Sequence, residues 1–242
     1  MNEQKYSRNY FIFDGVPSTD FELYTNGKGT YGAPAADLER ITVPGKSGDL
    51  IRFKNRFENI EVTYNSWIAD NMSVNMRDLR SFLLSRTSYC RLEDTYHPDE
   101  FRLACYSGGI TPDVSFWNTL AQFDLAFNCK PQRYLKSGEQ KQVFSANATL
   151  FNPSYFASKP LIRIYGNGTL TVGTGTITVS NNSGTYVDID CELMDAYTGA
   201  VNRNADVVTN TSGYITIGPG KSTISKTSDI SSFEITPRWY YL

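Results

Sequence analysis

Two Gly-Lys-Ser triplets, Gly45-Lys46-Ser47 in "TVPGKSGDL" and Gly220-Lys221-Ser222 in "GPGKSTI", are the first residues in this chain that could do chemistry, by cradling a phosphate. A P-loop needs another glycine five residues earlier, so that successive backbone N–H groups can curl around the anion. Arg40 and Ile215 stand there instead. A P-loop also runs from a strand into a helix whose N-terminus faces the phosphate, whereas both triplets lie between short β-type runs. Both read as turns, and no nucleotide or other cofactor is expected.

The remaining reactive side chains point the same way. The single histidine, His97 in "EDTYHPDE", would have to serve any Ser-His-Asp or Cys-His mechanism. It precedes Pro98 in a charged, turn-like run, and one histidine among Asp94, Asp99 and Glu100 does not match a two-histidine ligand spacing. That run reads as a surface loop. In "YVDIDCEL", Val187, Ile189, Cys191 and Leu193 should share one strand face and Asp188, Asp190 and Glu192 the other. Acids so close together do not flank a glycosidic bond, and an uninterrupted strand lacks the turn glycine of a calcium loop, so a solvated sheet face is expected. Cys90, Cys105, Cys129 and Cys191 show no CxxC spacing and read as free thiols. No catalytic residue, no metal and no enzymatic activity is expected.

Charge narrows the partners. The formal net charge is -2 and the isoelectric point about 5.5, which removes the broad basic field that duplex DNA or a membrane surface attracts. The opening "MNEQKYSRNY" is polar, and no window approaches the roughly 18 apolar residues of a membrane span. An aqueous, non-secreted setting without membrane contact is expected. Aromatic residues make up 14% of the chain, a content that serves a sandwich core, a subunit interface or sugar stacking alike.

The elements that must position these residues are mostly strands. "NYFIFDG" and "DFELYT" read as strands about a turn at Asp14 to Asp20, and "ERITV" pairs with "DLIRF" as an extended hairpin across Pro-Gly-Lys-Ser-Gly. "ENIEVTYNSW" alternates like a half-buried strand. "SVNMRDLRSFLLSR" carries Met76, Leu79, Phe82 and Leu83 on one helical stripe after a Ser73 cap. Strands follow at "YCRLED", "FRLACYS" and "LAQFDLAFNC". Through residue 140 the chain has 16 basic and 18 acidic side chains, and from 141 onward 7 of each. That shift, with the polar "CKPQRYLKSGEQKQ", divides the chain into domains 1–135 and 136–242. In the second, "LIRIYG", "GTLTVG", "GTITVS", "YVDIDCEL", "GYITIG" and "SFEITP" recur between turn residues without a helix, as in an antiparallel sandwich.

The order of these features resembles the distal tail proteins of long, non-contractile-tailed phages. The resemblance spans nearly the whole chain. It rests on the Pro-Gly-Lys-Ser-Gly turn at 44–48, the Asn-Pro, Lys-Pro and Tyr-Gly-Asn-Gly run at 152–168, the Asp-x-Asp pair at 188–190, and Pro237-Arg238-Trp239. It implies a mainly β fold: an N-terminal tail-tube-like β-sandwich with one α-helix and an extended hairpin, then a C-terminal galectin-like antiparallel β-sandwich. It further implies a homo-hexameric ring, single or stacked, at the virion tail tip, assembled in the host cytoplasm. Such a ring joins the tail tube protein to the tail-tip protein and to receptor-binding or baseplate proteins, and leaves a channel for DNA in transit. Pro44, Gly45, Lys46, Ser47, Gly48 and Asp49 then form the tip of a hairpin that contacts the neighbouring subunit. With no histidine and few basic residues in 141–242, that domain is expected to dock proteins rather than sugars. The alternative is a carbohydrate-binding or adhesin protein that touches the host envelope directly.

Overall fold

The computed structural model describes residues 8–26, 30–68, 71–115, 120–180, 186–210 and 213–242. The chain is mainly β, and its described residues contain one α-helix. It divides into two compact units, Met1–Arg133 and Tyr134–Tyr241.

The first unit is organised by one antiparallel sheet. Its central strand, Leu120–Leu135, pairs on one side with Ile60–Ile68, which in turn pairs with Leu23–Asn26. On the other side the order runs through Glu100–Tyr106, Cys90–Asp94 and Phe11–Phe13 to Val16–Pro17. The alternation legible in "ENIEVTYNSW" places Val62, Tyr64, Ser66 and Ile68 on the buried face. Against that face lies the helix Met72–Leu84, whose Met76, Leu79 and Leu83 are buried. Rings of Phe11, Phe13, Tyr64 and Phe127 pack on one another with centroids 5.1–5.9 Å apart, which fixes the core beyond area burial alone.

Three local expectations are corrected. The helix is preceded by Asn71 in the left-handed region with φ of 46°, and Ser73 lies inside the helix rather than capping it. "NYFIFDG" and "DFELYT" form no ladder with each other, although the Thr25 N–H donates to the Asn9 carbonyl at 2.9 Å. A 3-10 turn, Ser18–Phe21, carries the chain from the end of the sheet path that holds Phe11–Phe13 to the end that holds Leu23–Asn26. The polar "CKPQRYL" is strand as far as Leu135 although the buried alternation ends at Cys129, and at its end the Leu135 N–H donates to the Trp239 carbonyl at 2.8 Å.

The second unit is two packed antiparallel sheets without an α-helix among its described residues. One has the order Gln142–Phe144, Ile230–Thr236, Leu161–Gly166, Val187–Asp190, Asp195–Thr198, Val201–Asn202. The other runs Ala148–Asn152, Gly220–Lys226, Gly168–Val172, Gly175–Val179, Val207–Thr209. Their inward faces supply one apolar cluster that includes Ile162, Ile164, Leu170, Ile177, Val187, Ile189, Phe233 and Ile235. "GYITIG" is not a regular strand. It buries Ile215 and Ile217 and makes two isolated bridges, Ile217 to Ser158 and Gly213 to Asn210. The second Gly-Lys-Ser triplet is likewise not a turn, since Gly220 opens the Gly220–Lys226 strand with Lys221 and Ser222 paired to Phe151 and Leu150.

Candidate assembly surface

The first Gly-Lys-Ser triplet lies at the end of a hairpin that joins no larger sheet. Ala36–Ile41 and Leu50–Phe57 form a two-stranded ladder in the register Ile41↔Leu50, Arg40↔Ile51, Glu39↔Arg52 and Leu38↔Phe53. Pro44 and Gly45 make the turn, with the Lys46 N–H donating to the Val43 carbonyl at 3.1 Å. Gly45 and Gly48 have φ of 77° and 87°, values that a side chain would strain. The Thr42 hydroxyl donates to Asp49 Oδ1 at 3.1 Å across the loop. Pro44, Gly45, Lys46, Ser47, Gly48 and Asp49 are thus brought together at one exposed tip.

Near the base the register shifts. Asp37 faces a bulge in which Asn55 takes φ of 58°, and its carboxylate reaches both Lys54 Nζ at 3.0 Å and Arg56 Nε at 3.2 Å. The shift adds twist and re-aims the hairpin.

Phe53 packs on Phe57 with ring centroids 5.5 Å apart, yet the apolar residues of this hairpin stay largely open to solvent. Leu50, Ile51, Phe53 and Leu38 are 56%, 62%, 42% and 40% exposed. Leu38, Arg40, Ile51 and Phe53 occupy one face, while Ile41 and Leu50 flank the Glu39–Arg52 ion pair on the other. A solitary two-stranded hairpin is marginal in water, and exposed ion pairs of this kind contribute little. Sequence reading located the hairpin tip and missed these four side chains. The signal was present in adjacent Leu50-Ile51, since consecutive apolar residues in a strand point to opposite faces and cannot both enter one core.

The other residues with chemical potential are structural. His97 donates or accepts at Thr30 Oγ1, 3.2 Å away, and packs edge-on against Tyr31 with centroids 4.7 Å apart. The expected solvated acidic face does not exist. Asp188 and Asp190 are buried, each bound by a guanidinium: Arg163 to Asp188 at 2.7 and 2.8 Å, and Arg238 to Asp190 at 2.8 and 2.7 Å. The strand ends at Asp190, whose Oδ1 also accepts the N–H groups of Glu192 and Leu193 and so turns the chain. Leu193 therefore leaves the face of Val187 and Ile189 and is 69% exposed. Burial tends to raise the Asp190 pKa, and the Arg238 guanidinium with the Leu193 and Glu192 N–H groups outweighs it, leaving the carboxyl below its ordinary value. Cys90 lies opposite Ala104, which puts Cys105 on the other side of the ladder, and all four thiols are free. No group of three or more His, Cys, Asp or Glu among the described residues is arranged to hold a metal.

The remaining motifs set backbone approach. Asn152 Nδ2 donates to the carbonyls of Phe156 and Ile217, while its Oδ1 accepts the N–H and hydroxyl of Ser154. Arg238 has φ of 58° and donates its N–H to the Gly138 carbonyl at 2.8 Å. A Cβ at Gly138 would run into the Trp239 amide nitrogen.

This architecture is shared with structural proteins of phage tails and baseplates. The crystal structure of the SPP1 Dit protein, a paradigm of the hub adsorption apparatus in phages that infect Gram-positive hosts, matches with a TM-score of 0.71 at 15% identity. The match covers 97% of this chain and 99% of that one. A chain of the phage P2 baseplate in its activated conformation with calcium matches with a TM-score of 0.54 at 11% identity, over 94% of this chain and 97% of that chain. The same baseplate with strontium gives 0.54 at 10% identity. No protein-family model and no curated protein matches the chain.

Proposed function

We propose that this chain is the hub protein at the distal end of a phage tail, a non-enzymatic ring component that joins the tail tube to the tail-tip and receptor-binding or baseplate proteins. The observation that carries this reading is the likeness to the SPP1 hub protein over nearly the full length of both chains. The isolated hairpin supports it. A cyclic ring is built from heterologous contacts, one surface meeting a different one on the next copy, and a protruding ladder with two open edges and exposed Leu38, Leu50, Ile51 and Phe53 fits such a contact.

In this reading residues 1–135 form a homo-hexameric ring, single or stacked, with a channel through which DNA passes. Residues 136–242 project the galectin-like sandwich and anchor partners. The net charge of -2 suits a conduit, because DNA held by counterion release would stick rather than slide. The site of action is the virion tail tip, after assembly in the host cytoplasm.

Light scattering coupled to size exclusion, followed by negative-stain imaging, tests the proposal. A six-fold ring with an open centre is expected. A chain that stays monomeric at tens of micromolar, both alone and with tail-tube protein, and whose 136–242 segment binds glycans, would replace the hub by an adhesin.

A further inference from the structure

The hairpin at 36–57 is a lever whose aim has to come from its two stems. It pairs with no larger sheet, and none of its residues belongs to either apolar cluster. Its longer strand, Leu50–Phe57, reaches about 25 Å at the usual rise of a strand. A turn of about 10° at the base therefore moves the tip by about 4 Å, whereas a packed contact loses much of its attraction within about 1 Å.

One stem runs directly into the strand Ile60–Ile68, and Asn59 Nδ2 ties it to Tyr89 Oη and Asn128 Oδ1, each at 2.6 Å. The other stem, residues 30–35, belongs to no strand and is held by side chains distant in sequence. Thr30 is buried, and its hydroxyl shares a hydrogen bond of 3.2 Å with His97 Nε2. Arg133, on the central strand, donates from Nη2 to the carbonyls of Thr30 and Gly32 and from Nη1 to Glu100 at 3.4 Å. One guanidinium thus joins the stem to the sheet. His97 is itself fixed from the core: the buried Tyr64 hydroxyl donates to Asp94 Oδ2, and Asp94 Oδ1 accepts the N–H groups of Tyr96 and His97. The Glu58 N–H donates to the Ala35 carbonyl at 2.9 Å and so links stem to stem.

We propose that Arg133 and His97 are positioning residues for assembly: they latch residues 30–32 to the sheet and so set the direction in which the hairpin meets its neighbour. The neighbour rests on the hub reading, while the latch rests on this geometry alone. The residue types suit the task. A planar guanidinium bonds a carboxylate and backbone carbonyls in one fixed fork, which the point charge of a lysine ammonium does not reproduce.

Pulsed electron spin resonance reads the aim from spin labels at Ser47→Cys on the hairpin tip and Ser81→Cys on the helix, both exposed positions, with the half-buried Cys90 and Cys105 changed to Ser. The full chain also carries Leu50→Lys and Ile51→Lys, so that no neighbour holds the hairpin. A single narrow distance is expected. Arg133→Lys with His97→Ala, which keeps a cation for Glu100, should broaden it by about 4 Å or more while the melting temperature stays within a few degrees. With Leu50 and Ile51 native, the same pair should weaken ring association about tenfold. His97→Gln alone, whose amide can still meet the Thr30 hydroxyl, should leave both readings near native. An equally narrow distance in the double variant overturns the proposal, and so does a broadened one with unchanged association. Thr30→Val removes the His97 contact and leaves the Arg133 bonds; if the double variant does not fold, a distance that stays narrow in Thr30→Val overturns the latch. A native chain that forms no ring overturns the hub reading and the assembly role with it, and the distance measurement still decides the latch.

Discussion

The Asp190–Arg238 clamp shows how a single side chain decides local structure. Its carboxylate answers a guanidinium and two backbone N–H groups at once, so removing the charge releases a turn as well as an ion pair. Asp190→Asn should destabilise the second unit by about 2 kcal/mol at neutral pH, less than a fully buried pair because Arg238 keeps some solvent contact. The sign of its pH dependence follows from a folded pKa below the ordinary 3.8. The contribution is fully present above 3.8 and is lost as pH falls through the lower folded value. Urea denaturation between about pH 6 and pH 2 should therefore fall more steeply for the native chain than for Asp190→Asn. At Gly138 the constraint is steric, since a methyl group meets backbone and not a yielding side chain. Gly138→Ala should cost about 1–3 kcal/mol by thermal melt, and Ala at exposed Gly109, where nothing crowds the added carbon, should cost much less.

At the scale of elements, period-two alternation and the helical stripe located most of the strands and the helix, because burial on one face writes itself into residue order. Legibility failed where a side chain was satisfied by something distant in sequence. Asp188 and Asp190 read as solvated because Arg163 and Arg238 lie 25 and 48 residues away, a separation no local pattern encodes. Pairing order was equally hidden: "DFELYT" joins the far end of the sheet path from "NYFIFDG" although the two are neighbours in the chain. Of the candidate site, the turn tip was legible from Pro-Gly-Lys-Ser-Gly, whereas the exposed apolar flanks were overlooked. Leu50→Lys with Ile51→Lys should leave the melting temperature of the isolated chain within a few degrees, since neither residue is in a core cluster. It should weaken ring association at least tenfold, about 1.4 kcal/mol per contact, as read by light scattering against concentration. Deleting 44–48 should do the same, and unchanged assembly in both variants would remove the hairpin from the interface.

For the molecule as a whole, two separate apolar clusters underlie two compact units. A fragment spanning 134–242 is expected to fold alone with a cooperative thermal transition and to retain partner docking, while losing ring formation. A fragment that stays unfolded would show that the sandwich depends on the first unit. The strand Ile230–Thr236 lies between the edge strand Gln142–Phe144 and Leu161–Gly166, so the earliest and latest strands of that sheet meet at one of its edges. That arrangement sets a clock during translation. Gln142–Phe144 emerges from the ribosome with no strand to pair with, and it waits until Ile230 to Arg238 have been synthesised. The sandwich closes only at the finish, once each polypeptide has been made through its clamp.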